Sequence, residues 1–215
     1  MAETLWRDVD EYFGAVVQED VALKAALSES AKAGLPAIAV SAAQGKFLEL
    51  TARSIGAKRI LEVGTLGGYS TIWLARALPE GGKIVTLELN PHHADVARAN
   101  IENAGLAAKA DVRVGRAIDL LPAVEGPFDL SFIDADKESN ADYFAHALRL
   151  SRSGALIIVD NVVRGGRVLD ANGDVHVQGV RRLMDMVANE PRVDATAVQT
   201  VGDKGHDGFL MAVVK

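Results

Sequence analysis

The stretch Gly56-Ala-Lys-Arg-Ile-Leu-Glu-Val-Gly-Thr-Leu-Gly-Gly-Tyr-Ser70 decides the fold. A short apolar run over 59–64 carries one acid, Glu62, and ends in a turn with three glycines, Gly64, Gly67 and Gly68. Glycine there allows a tight turn and lets a ligand approach the backbone. A helical pattern follows over 69–78, with Ser70 expected to open it. A strand that runs through a glycine-rich turn into a helix is the start of a βαβ unit.

The alternation continues downstream. Runs over 83–88, 111–115, 128–134 and 154–160 read as further strands, with helical segments over 91–104 and through Tyr143, Phe144, Ala147 and Leu148. Five parallel strands of an open α/β sheet are predicted. After a Gly- and charge-rich loop over 164–173 comes a helix carrying Val180, Leu183, Met184 and Val187. Two closing runs, 193–201 and 208–214, are able to pair as an antiparallel edge. Upstream, Leu5, Val9, Tyr12, Phe13 and Val16 recur at helical spacing. Helices are also expected over 21–30 and 42–54. No repeat or linker divides the chain, so a single domain over 1–215 is expected, with a helical preface over 1–56 and a core over 57–215.

Composition narrows the function. At 215 residues and 49% apolar content the chain can bury one sizeable core. It has no cysteine, which removes disulfides, thiolate zinc sites and thiol nucleophiles and fits a reducing compartment. The first ten residues lack the pattern of a signal peptide, and no apolar run is long enough to span a bilayer. A cytoplasmic protein with no membrane partner is expected. The net charge of −6 argues against nucleic acid, whose binders depend on clustered Lys and Arg, and favours a small-molecule partner.

In open parallel sheets, ligands bind beyond the carboxyl ends of the strands. Glu88 ends the second strand, where an acid can accept hydrogen bonds from ribose hydroxyls. The glycine spacing is Gly-x-x-Gly-Gly, not the Gly-x-Gly-x-x-Gly of a dinucleotide site. Glu62, two positions before the first glycine, would repel a pyrophosphate but suits a ligand bearing an ammonium and a sulfonium. S-adenosylmethionine carries both. At the ends of the fourth and fifth strands stand Asp134 and Asp160-Asn161; if those strands are neighbours, their tips lie about 5 Å apart. Two carboxylates and an amide form a hard oxygen site that suits Mg²⁺, Mn²⁺ or Ca²⁺ better than zinc. Lys137 follows three residues after Asp134. A nearby cation and desolvation both favour the neutral form of a lysine, so Lys137 is a candidate general base.

These residues resemble the cation-dependent class I O-methyltransferases, the group containing the catechol and caffeoyl-coenzyme A enzymes. The resemblance rests on the 56–65 stretch, Gly68-Tyr-Ser70, Phe132-Ile-Asp-Ala-Asp-Lys137, Asp160-Asn-Val162 and Gly166-Arg-Val168. It implies a Rossmann-like seven-stranded sheet, mostly parallel with an antiparallel C-terminal edge, and helices on both faces. It implies S-adenosylmethionine contacts from Val40, Glu62, Gly64, Thr65, Ser70, Glu88, Ala117 and Asp134. The divalent cation would be held by Asp134, Asp160 and Asn161, with Lys137 as base. A homodimer is implied, with the N-terminal helices and the loop after Asn161 shaping the acceptor pocket. The acceptor would be a catechol-like or hydroxycinnamoyl-type aromatic diol. One departure stands out: many relatives carry a tyrosine three residues after the lysine, where this chain has Asn140. Two other readings stay open, a nicotinamide-dependent oxidoreductase and a non-catalytic adenosyl-binding module. His92 and His93 are expected in solvent, Trp73 in the core and His206 in a loop.

Overall fold

The computed structural model describes residues 2–215. Asp10–Ala117 forms one compact unit; the chain up to Val9 together with Ile118–Lys215 forms another. The N-terminal helix α1 (Ala2–Val17) and the short α6 (Ala117–Leu120) each contain a boundary between them.

The first unit continues with α2 (Val21–Lys32), α3 (Ala42–Ser54), β1 (Arg59–Val63), α4 (Tyr69–Ala77), β2 (Lys83–Glu88), α5 (Pro91–Asn103) and β3 (Ala110–Val114). β2 pairs in parallel with β1 on one side and β3 on the other, with Glu62 opposite Thr86 and Glu88 opposite Val114. Residues 60–63 and 84–88 are all buried. Covering on both faces is why β1 and β2 read as near-continuous apolar runs rather than alternating ones.

The helices begin where side chains can satisfy their first N–H groups. Asp20 accepts from Leu23 N at 3.0 Å, Ser41 from Gln44 N at 3.2 Å, and Asn90 from His92 N at 2.9 Å with Pro91 following. Such caps contribute about 1 kcal/mol each. α4 differs: its cap is Gly68, in the left-handed conformation with φ 81°, and Tyr69 rather than Ser70 is its first residue. Trp73 of α4 is buried as expected, and Gly45 of α3 lies so close that a Cβ there would stand 2.3 Å from the indole.

The second unit holds β4 (Phe128–Ile133), α7 (Asn140–Leu150), β5 (Ser151–Asp160), α8 (Val175–Ala188), β6 (Val193–Gly202) and β7 (Gly205–Val214). β4 and β5 run parallel, β7 lies antiparallel to β5, and β6 antiparallel to β7. The sheet has seven strands in the order β3-β2-β1-β4-β5-β7-β6. The mixed seven-stranded architecture is therefore present, including its antiparallel C-terminal edge. β5 starts earlier than its apolar run because Ser151 already pairs with Phe128, across an irregularity in register before Leu130. The 164–173 loop is not wholly irregular: Arg164–Leu169 forms 3₁₀ turns broken by left-handed Gly165 and Gly166. His206 is part of β7, bonded to Gln199 at 2.9 Å, rather than in a loop. Among the described residues, no helix is long and apolar enough to cross a membrane.

Candidate active site

In the first unit, the acids at the ends of β1 and β2 organise the glycine turn. Glu62 is fully buried. Its Oε1 accepts from Ser70 Oγ at 2.7 Å, and its Oε2 from Thr71 Oγ1 at 2.5 Å and Thr86 Oγ1 at 2.6 Å. Thr86 Oγ1 also lies 2.5 Å from Thr65 Oγ1. A buried carboxylate is tolerated when hydroxyls surround it, and this one fixes the start of α4 while leaving a negative charge behind the turn.

Glu88 is nearly as buried, and its partners are backbone groups. Oε2 accepts from Thr65 N at 3.1 Å and Leu66 N at 2.8 Å, and Oε1 accepts from Asn90 N at 2.9 Å. A carboxylate offers about four lone-pair positions, so three N–H bonds leave about one for a ligand hydroxyl. The turn it holds contains Leu66 at φ 49°, a left-handed conformation that non-glycine residues seldom adopt and that concentrates at functional sites. Asn100 of α5 secures the same turn, donating from Nδ2 to Gly67 O at 2.9 Å. His93 is not in solvent: its Nδ1 lies 3.5 Å from Glu88 Oε1. His92 Nε2 is 2.9 Å from Ala33 O. Val40 and Ala117 are buried, Ser70 half-buried.

In the second unit, β4 and β5 are in register at Ile133↔Val159, so Asp134 and Asp160 occupy the next positions at the ends of neighbouring strands. Asp160 is buried, and its Oδ1 accepts from Asn161 N at 2.8 Å. Asn161 has φ 58°, again left-handed. Asp207 of β7 holds the chain beyond it, accepting on Oδ1 from Val163 N at 3.0 Å and Arg164 N at 2.9 Å. Lys137 lies on a 3₁₀ turn, Lys137–Ser139, with its side chain 8% exposed and Nζ 2.7 Å from Asp134 Oδ1. Asp136, on the same loop, accepts from Tyr143 Oη at 2.6 Å.

Among the described residues, no three acid, imidazole or thiol side chains gather to hold a metal unaided. A hard cation here would depend on two carboxylates and the Asn161 amide, leaving other positions for water or substrate. The donors fit that role: all are oxygens, they come from adjacent strand ends, and Asn161 is held in the left-handed conformation. The Lys137 ammonium shows that Asp134 can receive a cation at hydrogen-bond distance.

Asn140 opens α7 and is fully buried, yet among the described residues neither its amide oxygen nor its nitrogen has a hydrogen-bond partner. Sequence reasoning singled out this position but not its isolation. It did not find Thr86, Thr71, Asn100 or Asp207, because threonine in strands and helices, asparagine in helices and a single acid in a strand are ordinary, and it left His93 in solvent.

Comparison with known proteins adds independent evidence. Residues 14–211 match the O-methyltransferase family model. The chain is 54% identical over 210 residues to a catechol O-methyltransferase of Mycobacterium tuberculosis, covering 97% of this chain and 96% of that one. It superposes with TM-score 0.97 on an O-methyltransferase of Streptomyces achromogenes involved in tomaymycin synthesis, solved in complex with S-adenosylmethionine, at 49% identity and covering 100% and 99% of the two chains. A Bacillus cereus O-methyltransferase in complex with S-adenosylhomocysteine also gives 0.97, at 55% identity with both chains fully covered.

Proposed function

The chain belongs to the O-methyltransferase family and is an S-adenosylmethionine-dependent O-methyltransferase of the catechol O-methyltransferase type; from that premise we propose that it methylates one hydroxyl of a small aromatic diol, with a divalent cation and Lys137 as base. The observation that carries this reading is the pairing, at one register step, of Asp134 and Asp160 beside left-handed Asn161, with a buried lysine bonded to Asp134.

Under this reading the donor is held by the first unit. Glu88 takes a ribose hydroxyl on its remaining acceptor position, while Gly64, Thr65 and Ser70 shape the turn. Glu62 supplies the negative field that favours a cationic ligand, and the uncapped N-terminus of α4 favours the donor's carboxylate. Val40 and Ala117 give apolar walls. In the second unit, Asp134, Asp160 and Asn161 would hold the cation, most simply Mg²⁺, with Mn²⁺ or Ca²⁺ as substitutes. Such a cation would acidify the acceptor hydroxyl. Lys137 Nζ receives the proton, and Asp134 keeps the resulting ammonium in place. The remaining acceleration comes from orienting the oxygen on the sulfonium methyl, since the donor is itself activated.

The acceptor class follows from this chemistry. Two carboxylates and an amide leave room for a bidentate ligand, and adjacent phenolic hydroxyls provide one; the catechol activity in the name of the Mycobacterium tuberculosis relative agrees. A hydroxycinnamoyl-type diol satisfies the same demand. We read 1–215 as one methyltransferase domain, because the family match spans both compact units. A homodimer joined through α1 is also part of the proposal: Tyr12 and Val16 are about four-fifths exposed, and Leu5 and Phe13 more than half. A cytoplasmic location fits a chain without cysteine. Family membership removes the nicotinamide and non-catalytic alternatives.

The test is methyl transfer from labelled S-adenosylmethionine to catechol. Transfer in Mg²⁺ that stops in EDTA and returns with Mg²⁺ is expected. Transfer that persists in EDTA, or in Lys137→Ala at the wild-type rate, refutes the cation or the base respectively.

A further inference from the structure

α8 lies against the turn that carries Lys137. Gly179, the fifth residue of that helix, is buried, and a Cβ built on it would stand 2.1 Å from the Lys137 carbonyl oxygen. It would also stand 2.6 Å from both the Lys137 carbonyl carbon and the Glu138 Cα. These are backbone atoms and cannot swing aside as the tip of a flexible side chain does. Glycine inside a helix costs about 0.5–1 kcal/mol relative to alanine, so a helical glycine calls for a packing reason. Here the reason is visible: only hydrogen at this position lets α8 meet the 137–139 turn.

A second contact from the same helix acts on the same turn. Arg182, three residues further on, donates from Nη2 to the Glu138 carbonyl oxygen at 2.8 Å. Arg182 is otherwise exposed, so this bond is the anchor of its head group on the protein. Between them, Gly179 sets how closely the turn approaches α8 and Arg182 ties it there. Lys137, carried by the turn, reaches Asp134 Oδ1 with Nζ at 2.7 Å.

We propose that Gly179 and Arg182 are positioning residues for Lys137, fixing the turn so that the lysine meets both Asp134 and the hydroxyl it deprotonates. The inference rests on the reading of Lys137 as base. It does not place either residue in contact with substrate. A methyl at 179 must open a 2.1 Å contact to ordinary van der Waals distance, which displaces the turn by about 1 Å. A displacement of that size in a catalytic group lowers turnover on the order of 100-fold. Loss of the Arg182 bond alone leaves the packing intact and is expected to lower turnover about 5-fold, the equivalent of one net hydrogen bond.

The experiment compares wild type with Gly179→Ala, Arg182→Gln and Lys137→Ala. Measurements are kcat and KM for catechol in Mg²⁺, S-adenosylhomocysteine affinity by calorimetry, and folding by circular dichroism. Gly179→Ala and Arg182→Gln should lose kcat by those factors, keep KM for catechol near the wild-type value, and bind S-adenosylhomocysteine as wild type does. A crystal structure of Gly179→Ala should show the 137–139 turn moved by about 1 Å. Lys137→Ala should be inactive. If Lys137→Ala is inactive while folded Gly179→Ala and Arg182→Gln keep the wild-type kcat, positioning by α8 is refuted and the base stands. Loss of kcat matched by a rise in KM or by weaker S-adenosylhomocysteine binding refutes it too, marking a structural role only. If Gly179→Ala fails to fold, Arg182→Gln decides by the same readouts. Wild-type turnover in Lys137→Ala overturns the base and this inference together.

Discussion

Replacing Glu88 with glutamine tests how the donor site is built. The side chain keeps its shape, but one oxygen becomes an NH₂ group. Glu88 accepts two backbone N–H bonds on Oε2 and one on Oε1. These donors cannot rotate away, unlike the hydroxyls around Glu62. The best glutamine rotamer keeps its oxygen toward Thr65 and Leu66, where two charge-assisted bonds become neutral ones, a loss of about 1 kcal/mol each. Its NH₂ then faces the Asn90 N–H, and losing that bond with two donors opposed costs about 1–3 kcal/mol. The whole effect is about 3–5 kcal/mol, shared between ordering of the glycine turn and binding of the donor. If the turn must be ordered to bind, Kd for S-adenosylhomocysteine rises by about two to three and a half orders of magnitude. Calorimetry on Glu88→Gln measures this directly, with Glu62→Gln as a contrast in which rotating hydroxyls soften the loss. A Kd for Glu88→Gln within 3-fold of wild type would refute the argument that this carboxylate organises the site.

Further predictions concern stability. Gly45→Ala sets a methyl 2.3 Å from the Trp73 indole and should destabilise by about 1–3 kcal/mol, seen as a lower midpoint in urea unfolding. Asn140→Leu replaces an unpartnered buried amide by an apolar group of similar size, and should raise Tm by about 2–4 °C in calorimetry, corresponding to about 1 kcal/mol; a fall in Tm would show that the amide is satisfied in solution. Burial, helped by Arg149 and opposed by Asp142, holds His146 below its ordinary value of 6.5. The unfolded chain therefore binds that proton more readily, so the contribution of His146 to stability is complete above about 6.5 and is lost as pH falls toward the depressed folded value. His146→Gln should narrow the difference in Tm between pH 7.5 and pH 5.5.

The sequence made some features plain for physical reasons. β1 and β2 are covered on both faces, so their apolar runs are unbroken, and acids at their ends stand out against that background. Asp134 and Asp160 were visible in the same way, as polar residues closing apolar strands. What surrounds those acids was not visible. Thr71 and Thr86 look like ordinary helix and strand residues until their hydroxyls are found on Glu62. His93 follows a helix cap and gives no sign of standing beside Glu88. Gly179 resembles a weak point in an amphipathic helix, and only the approach of the 137–139 backbone explains it. The left-handed backbone at Leu66 has no signature of its own, because the position does not carry glycine, and asparagine, though it tolerates that conformation, adopts others as readily. Side chains that face ligands announce themselves by type, whereas those that hold them in place depend on contacts distant in sequence.

The account turns on oxygen donors at the ends of β4 and β5 accepting a divalent cation. Titration of the protein with Mn²⁺, followed by electron paramagnetic resonance, measures that binding without any need for turnover. Wild type should bind one Mn²⁺, and Asp160→Asn, which keeps an acceptor for Asn161 N but loses the charge, should bind it at least 10-fold more weakly with S-adenosylhomocysteine affinity unchanged. Equal Mn²⁺ binding by the two proteins would contradict the assignment.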